Sequence, residues 1–149
     1  MAINDYLDEK LVSHLDVHTQ NEALETLVNL LDKEGKLHDR EAFFEAILDR
    51  EKIISTGIGI GVAIPHAKLQ GYDDFFIAIG IQKNEGIQWK ALDGLPVRLI
   101  FMIGGPEDQQ TEYLNILSMI TTAIKDEECR KALLKANSAR DVVAIFEDL

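Results

Sequence analysis

The sequence predicts an α/β protein: one α/β/α sandwich in which helices flank a central mixed β-sheet. Three observations carry this expectation. Phe75 to Ile81 and Val97 to Ile103 are apolar runs rich in β-formers, the pattern of strands buried on both faces. Segments before and after them place apolar residues at helical spacing. The length, 149 residues, is close to the commonest single-domain size, so 1–149 is read as one domain.

Each element has a local reason. Thr19 to Glu22 fits a capping box, and Ala23, Leu24, Leu27, Leu30 and Leu31 follow as an apolar stripe. Gly35 closes that helix at Lys33 or Glu34. A second helix is expected from Asp39 as N-cap to Arg50 or Glu51, with Phe43, Phe44, Ile47 and Leu48 buried. Val62 to Ile64 reads as a short strand whose ladder Pro65 stops. Gly86 and Asp93-Gly94 are turn signals between the two central strands, with Trp89 on an edge strand. Gly104-Gly105-Pro106 breaks the chain, and Pro106, Glu107 and Asp108 suit a helix start. Tyr113, Leu114, Ile116, Leu117, Ile120 and Ile124 form its stripe. Two shorter helices follow, one over Asp126 to Lys135 and one from Ser138.

Composition narrows the function classes. Fifteen basic against 26 acidic residues leave a net charge of −11, which disfavours nucleic-acid backbones and anionic membrane surfaces as partners. No apolar run reaches the roughly 18 residues of a membrane span, and the N-terminus lacks the pattern of a signal peptide. The cytoplasm is the expected compartment. The lone Cys129 follows Asp126, Glu127 and Glu128, which raise a thiol pKa, so it reads as structural.

Four histidines are candidates for chemistry. His14, His18 and His38 are assigned surface or capping roles, and no set of ligands has zinc spacing, so neither metal nor cofactor is expected. His66 differs because it follows Pro65 at the end of a glycine-rich strand segment, where a side chain projects toward a loop rim. Spacing alone leaves open a packed turn histidine or a reactive one. Gly57, Gly59 and Gly61 match neither the dinucleotide fingerprint nor a Walker A loop, since no helix and no G-K-[ST] follows. By spacing, their simplest role is close approach of a neighbouring chain; backbone binding of a phosphate is the alternative.

The residues themselves then add a resemblance. Arg50-Glu51-Lys52, Ser55-Thr56-Gly57-Ile58-Gly59 and Gly61-Val62-Ala63-Ile64-Pro65-His66-Ala67-Lys68 resemble the active-site segment of phosphotransferase-system IIA components of the mannitol/fructose class, which includes nitrogen-regulatory IIA proteins. Leu92 to Val97 and Ile100 to Met102 are similar to the next strand block of that family. The resemblance implies a phosphotransferase in which His66 accepts a phosphoryl group from the phosphocarrier HPr or its nitrogen-branch relative. It then passes the group to a IIB component, or signals to a regulatory target by its phosphorylation state. It implies Arg50 as phosphate stabiliser; the reading from the residues alone is a helix C-terminal cation. Thr56 would offer a hydroxyl, Gly57 and Gly59 close backbone approach, and Lys68 positive potential. Tyr113 stands where many transport-type members carry a second histidine, and Ile60 where a polar residue is common. These departures, with the expectation of a stand-alone domain, tilt the reading toward a nitrogen-type regulatory member over sugar transport. They also permit a IIA-like protein-binding module without transfer.

Overall fold

The computed structural model describes residues 2–147. After two short 3-10 turns at Ile3–Tyr6 and Glu9–Leu11, the chain runs β1 (Val12–Leu15), α1 (Gln20–Lys33), α2 (Arg40–Ile53), β2 (Gly57–Gly59), β3 (Val62–Ala63), β4 (His66–Leu69), β5 (Phe76–Gln82), β6 (Leu99–Pro106), α3 (Gln110–Lys125), α4 (Glu127–Lys135) and α5 (Ala139–Glu147). The sheet order is β1-β5-β6-β3-β2, with β4 also paired to β6. β5 and β6 are antiparallel, while β1 runs parallel to β5 and both β3 and β4 run parallel to β6. The sheet is therefore mixed, as expected.

Alternation along β5 and β6 builds the two cores. Ile77, Ile79, Leu99, Phe101 and Ile103 face α3, α4 and α5, whereas Phe76, Ala78, Ile100 and Met102 face α1 and α2. Every residue of both strands is buried. That double burial explains why the sequence shows continuous apolar runs rather than polar alternation. Cys129 is buried on α4, and burial with the nearby Asp126 pushes its thiol pKa up.

Thr19, Asp39 and Ser138 cap the helices that the sequence starts at them, and Asp126, expected inside the next helix, caps α4 instead. Thr19 accepts from the Glu22 amide at 3.1 Å, Asp39 from Ala42 at 3.1 Å, Asp126 from Glu128 at 3.0 Å and Ser138 from Asp141 at 3.1 Å. Gly35 leaves α1 at φ 75°, the left-handed exit glycine allows.

Several expectations are corrected. Gly104-Gly105-Pro106 does not break the chain but lies inside β6, and α3 starts at Gln110 rather than at Pro106. The reason is tertiary: a Cβ on Gly104 would meet the Phe76 and Phe43 rings at 2.5–2.7 Å, so these glycines make room for aromatic packing beside a continuous ladder. Trp89 is not on an edge strand; it is buried in the loop between β5 and β6, where the only ladder fragment is an Ile87–Val97 bridge. α2 continues to Ile53, beyond Arg50 and Glu51. Leu114 is half exposed and stands outside the buried stripe of α3. β1 had no clear signal, because its Val12-Ser13-His14-Leu15 is too short and polar to read as a strand without its neighbour β5. His14 lies on it and meets the Ala136 carbonyl, at the C-cap of α4, at 2.9 Å. His38 stacks on Tyr72 with ring centres 4.3 Å apart, and His18 is exposed.

Candidate active site

The site starts with a proline. β3 and β4 lie end to end along β6, with Val62 opposite Leu99 and His66 opposite Ile103. Between them Pro65 has no amide to donate, although its carbonyl accepts from Ile103 at 3.0 Å. His66 thus opens a strand, rather than ending one as its sequence position implied. Its backbone is held by the sheet while its half-buried side chain turns back on the break.

Two contacts set the state of the ring. His66 Nδ1 lies 3.1 Å from the Ile64 carbonyl oxygen, and a carbonyl only accepts, so Nδ1 carries the proton. Nε2 then bears the lone pair, and Arg50 Nε–H donates to it at 3.2 Å. The two contacts require the same tautomer. Burial, then the positive charges of Arg50 and Lys68, hold the imidazole pKa below its usual value; the Ile64 carbonyl pulls the other way. The outcome is a ring held toward its neutral form with its lone pair on Nε2.

Arg50 reaches the ring because α2 runs on to Ile53. Its Nη1 donates to the Ile54 carbonyl at 3.0 Å, at the C-cap of the helix, which aims Nε at His66. Arg50 therefore closes the helix end, as the reading from the residues alone expects, and also faces the imidazole.

Thr56 sits elsewhere in the hydrogen-bond scheme. It is buried, its hydroxyl is bonded to the Glu51 carboxylate, and its amide donates to Glu51 Oε2 at 3.2 Å. Trp89 Nε1 donates to the same hydroxyl at 3.3 Å, and Gln20 Nε2 donates to Glu51 at 3.1 Å. Glu51 thereby ties α1, α2 and the strand segment together, a role that its place beside Arg50 did not disclose. Gly57 and Gly59 face the 89–93 loop: an added Cβ would meet Ala91 at 2.9 Å and Asp93 at 3.1 Å respectively. Close approach of a neighbouring chain is what their positions show.

Tyr113, near the start of α3, does contact the histidine. The two ring centres are 5.4 Å apart at 44°. Lys68 Nζ lies 4.2 Å from the Tyr113 ring centre and donates to Gln110 Oε1 at 2.6 Å. Burial raises the phenol pKa, with Arg50 opposing, so Tyr113 offers a neutral hydroxyl and an apolar wall. No cluster of three or more metal-ligating side chains occurs among the described residues.

Comparisons with known proteins identify the family. The family model described as "Phosphoenolpyruvate-dependent sugar phosphotransferase system, EIIA 2" matches residues 5–149. The fructose-specific EIIABC component of Bacillus subtilis (strain 168) is 40% identical over 147 residues, covering 98% of this chain. This chain spans only 23% of that relative's length. The nitrogen regulatory protein of Escherichia coli (strain K12) is 38% identical over 136 residues, covering 89% of this chain and 82% of the relative. The crystal structure of nitrogen regulatory protein IIA-Ntr from Neisseria meningitidis superposes with a TM-score of 0.88 at 33% identity, covering 97% of this chain and 98% of that one. With its fold, its His66 segment and a family match running over residues 5–149, the chain belongs to the EIIA type 2 family of the phosphoenolpyruvate-dependent sugar phosphotransferase system.

Proposed function

We propose that the chain is a phosphohistidine carrier with His66 Nε2 as the acceptor atom. The observation that carries this reading is the pair of contacts on the ring, Ile64 carbonyl on Nδ1 and Arg50 Nε–H on Nε2. The Nε2 lone pair attacks phosphorus on a phosphorylated HPr-like donor. The N–P bond of the donor breaks, and its electron pair returns to the donor imidazole. No proton transfer is required of His66, because Nδ1 keeps its hydrogen throughout. Arg50 exchanges its contact with Nε2 for a phosphoryl oxygen and follows the negative charge as it arrives. The reverse sequence delivers the group to a IIB component, or the phosphorylated form itself addresses a regulatory target.

Positioning and charge are the whole of the task, since phosphoryl transfer passes through a loose transition state. Thr56, Gly57 and Gly59 support this arrangement indirectly by holding the segment against Glu51 and the 89–93 loop. Tyr113 lacks the imidazolium that a histidine at its place would supply, which favours a nitrogen-type regulatory role over rapid flux to a sugar permease.

Intact mass after incubation with phosphoenolpyruvate, enzyme I and HPr or its nitrogen-branch relative tests the reading. An acid-labile gain of one phosphoryl group (about 80 Da) on the wild type and none on His66→Ala is expected. The better donor of the two identifies the branch. No gain with either donor would leave a protein-binding module as the function.

A further inference from the structure

A groove lies at the other end of the β3–β4 line. It has a volume of about 450 Å³ and opens beside the β2–β3 turn, lined by Ile60, Leu95, Leu99 and Leu134 with Arg98 and Arg130. Its volume falls within the range of small-molecule sites. Val62 and His66 pair with β6 residues four positions apart, so groove and imidazole are separated by about 13 Å of strand.

The charge in this groove is unbalanced. The chain carries a net −11, yet neither arginine makes an ion pair among the described residues, and the carboxylate nearest the lip, Asp93, is taken up by the Ile60 and Leu95 amides at 2.8 and 3.0 Å. Arg98 Nη2 donates to the Gln82 and Lys83 carbonyls at 3.2 and 3.3 Å, while its buried Nε finds no partner. Arg130 Nη1 donates to the Ile124 and Lys125 carbonyls at 2.6 and 3.1 Å. Both guanidinium groups are thus anchored by backbone carbonyls and neither is neutralised by a paired carboxylate. At the lip, Ile60 is 42% exposed and has φ 52°, a conformation that β-branched residues avoid. The Asp93 carboxylate holds it there by accepting from the Ile60 amide at 2.8 Å.

We propose that this groove binds a small amphipathic carboxylate, with the anionic end on Arg98 and Arg130 and an apolar body against Ile60, Leu95 and Leu134. Pre-anchored guanidinium forks match a carboxylate, and the aliphatic lining excludes water from the pair. This site is separate from the phosphoryl chemistry of His66 and does not depend on it.

The test is side-chain and backbone ¹⁵N NMR of the whole chain titrated with octanoate below its micelle concentration, beside octylamine and inorganic phosphate. Octanoate is expected to move the Arg98 Nε–H resonance and the 60–61 and 95–99 amides saturably, and the other two compounds to leave them in place. Leu95→Glu puts a carboxylate at the exposed lip without touching the core, and should weaken octanoate binding by about tenfold or more. His66→Ala should bind octanoate as the wild type does. Equal shifts with octylamine or phosphate, unchanged affinity in Leu95→Glu, loss of binding in His66→Ala, or no shift at millimolar octanoate would each overturn the proposal.

Discussion

β5 and β6 contrast with the segment from β2 to β4 on the same sheet. The first pair are seven and eight residues long, buried throughout and paired to each other over six register positions. The second region is three short strands of three, two and four residues, interrupted by a left-handed turn at Ile60-Gly61 and by Pro65. The His66 ring is oriented at one of those interruptions, while Arg50 and Tyr113 reach it from α2 and α3. Pro65 separates two stretches of ladder, and the Ile64 carbonyl before it sets the histidine tautomer. The long strands supply a fixed edge; the broken ones present groups that a continuous ladder would have kept between strands. With the proposed role of His66, stability and chemistry are divided between neighbouring strands.

Four variants or titrations probe that division. The largest stability effect belongs to β6: Phe101→Ala, facing Phe146 edge-on at 6.1 Å between ring centres, should cost about 3–5 kcal/mol in urea denaturation. Its folded fraction should still accept phosphate. In the broken region, Arg50→Ala should slow phosphoryl uptake by about 100-fold while changing stability little, measured by rapid-quench transfer beside a thermal melt. Loss of stability without loss of rate in Arg50→Ala would erase the contrast. Glu51→Gln stands between the two classes, because the carboxylate binds Thr56 and Gln20 and touches no reacting atom. It should cost about 1–3 kcal/mol and leave the pH profile of uptake unmoved. The smallest effect is expected at Ile60→Gly. Relief of the left-handed backbone, worth about 1–2 kcal/mol, is largely offset by the entropy glycine loses on folding, leaving a gain of about 0.5 kcal/mol.

The acidity of His66 sharpens the same comparison. Its folded pKa lies below the unfolded value near 6.5, mainly through burial. The unfolded chain therefore binds more protons in the window between the two values, and stability falls as pH drops from 6.5 into it. Phosphoryl uptake should persist below pH 6.5, where an exposed imidazole is already half protonated. An NMR titration of the ring carbons checks this. Arg50→Ala should raise the pKa only in part, since burial is the larger cause.

How much was legible divides along the same line. α1 and α2 were readable because cap, stripe and exit lie within a few residues of one another, and β5 and β6 because double burial demands unbroken apolar runs. Gly104-Gly105 was misread because glycine punctuates loops in most contexts. Here it accommodates Phe75, Phe76 and Phe43, which come from other elements. Trp89 was misplaced for a related reason: its partners, Thr56 and Ser55, lie more than thirty residues away.

At the site, the residues available to chemistry are legible in the sequence: a histidine after proline, an arginine at a helix end, and a motif shared with the IIA family. Those are local facts, carried by residue types and short spacings. Packing of elements distant in sequence brings Arg50 from α2 to Nε2 and Tyr113 from α3 onto the imidazole, whereas Nδ1 meets the Ile64 carbonyl two residues back and Thr56 meets Glu51 five residues back through the local course of the chain. The two long-range contacts depend on where β4, α2 and α3 meet. Hydrogen bonds are directional over a few tenths of an ångström, and only the packed sheet and helices place their donors and acceptors that closely.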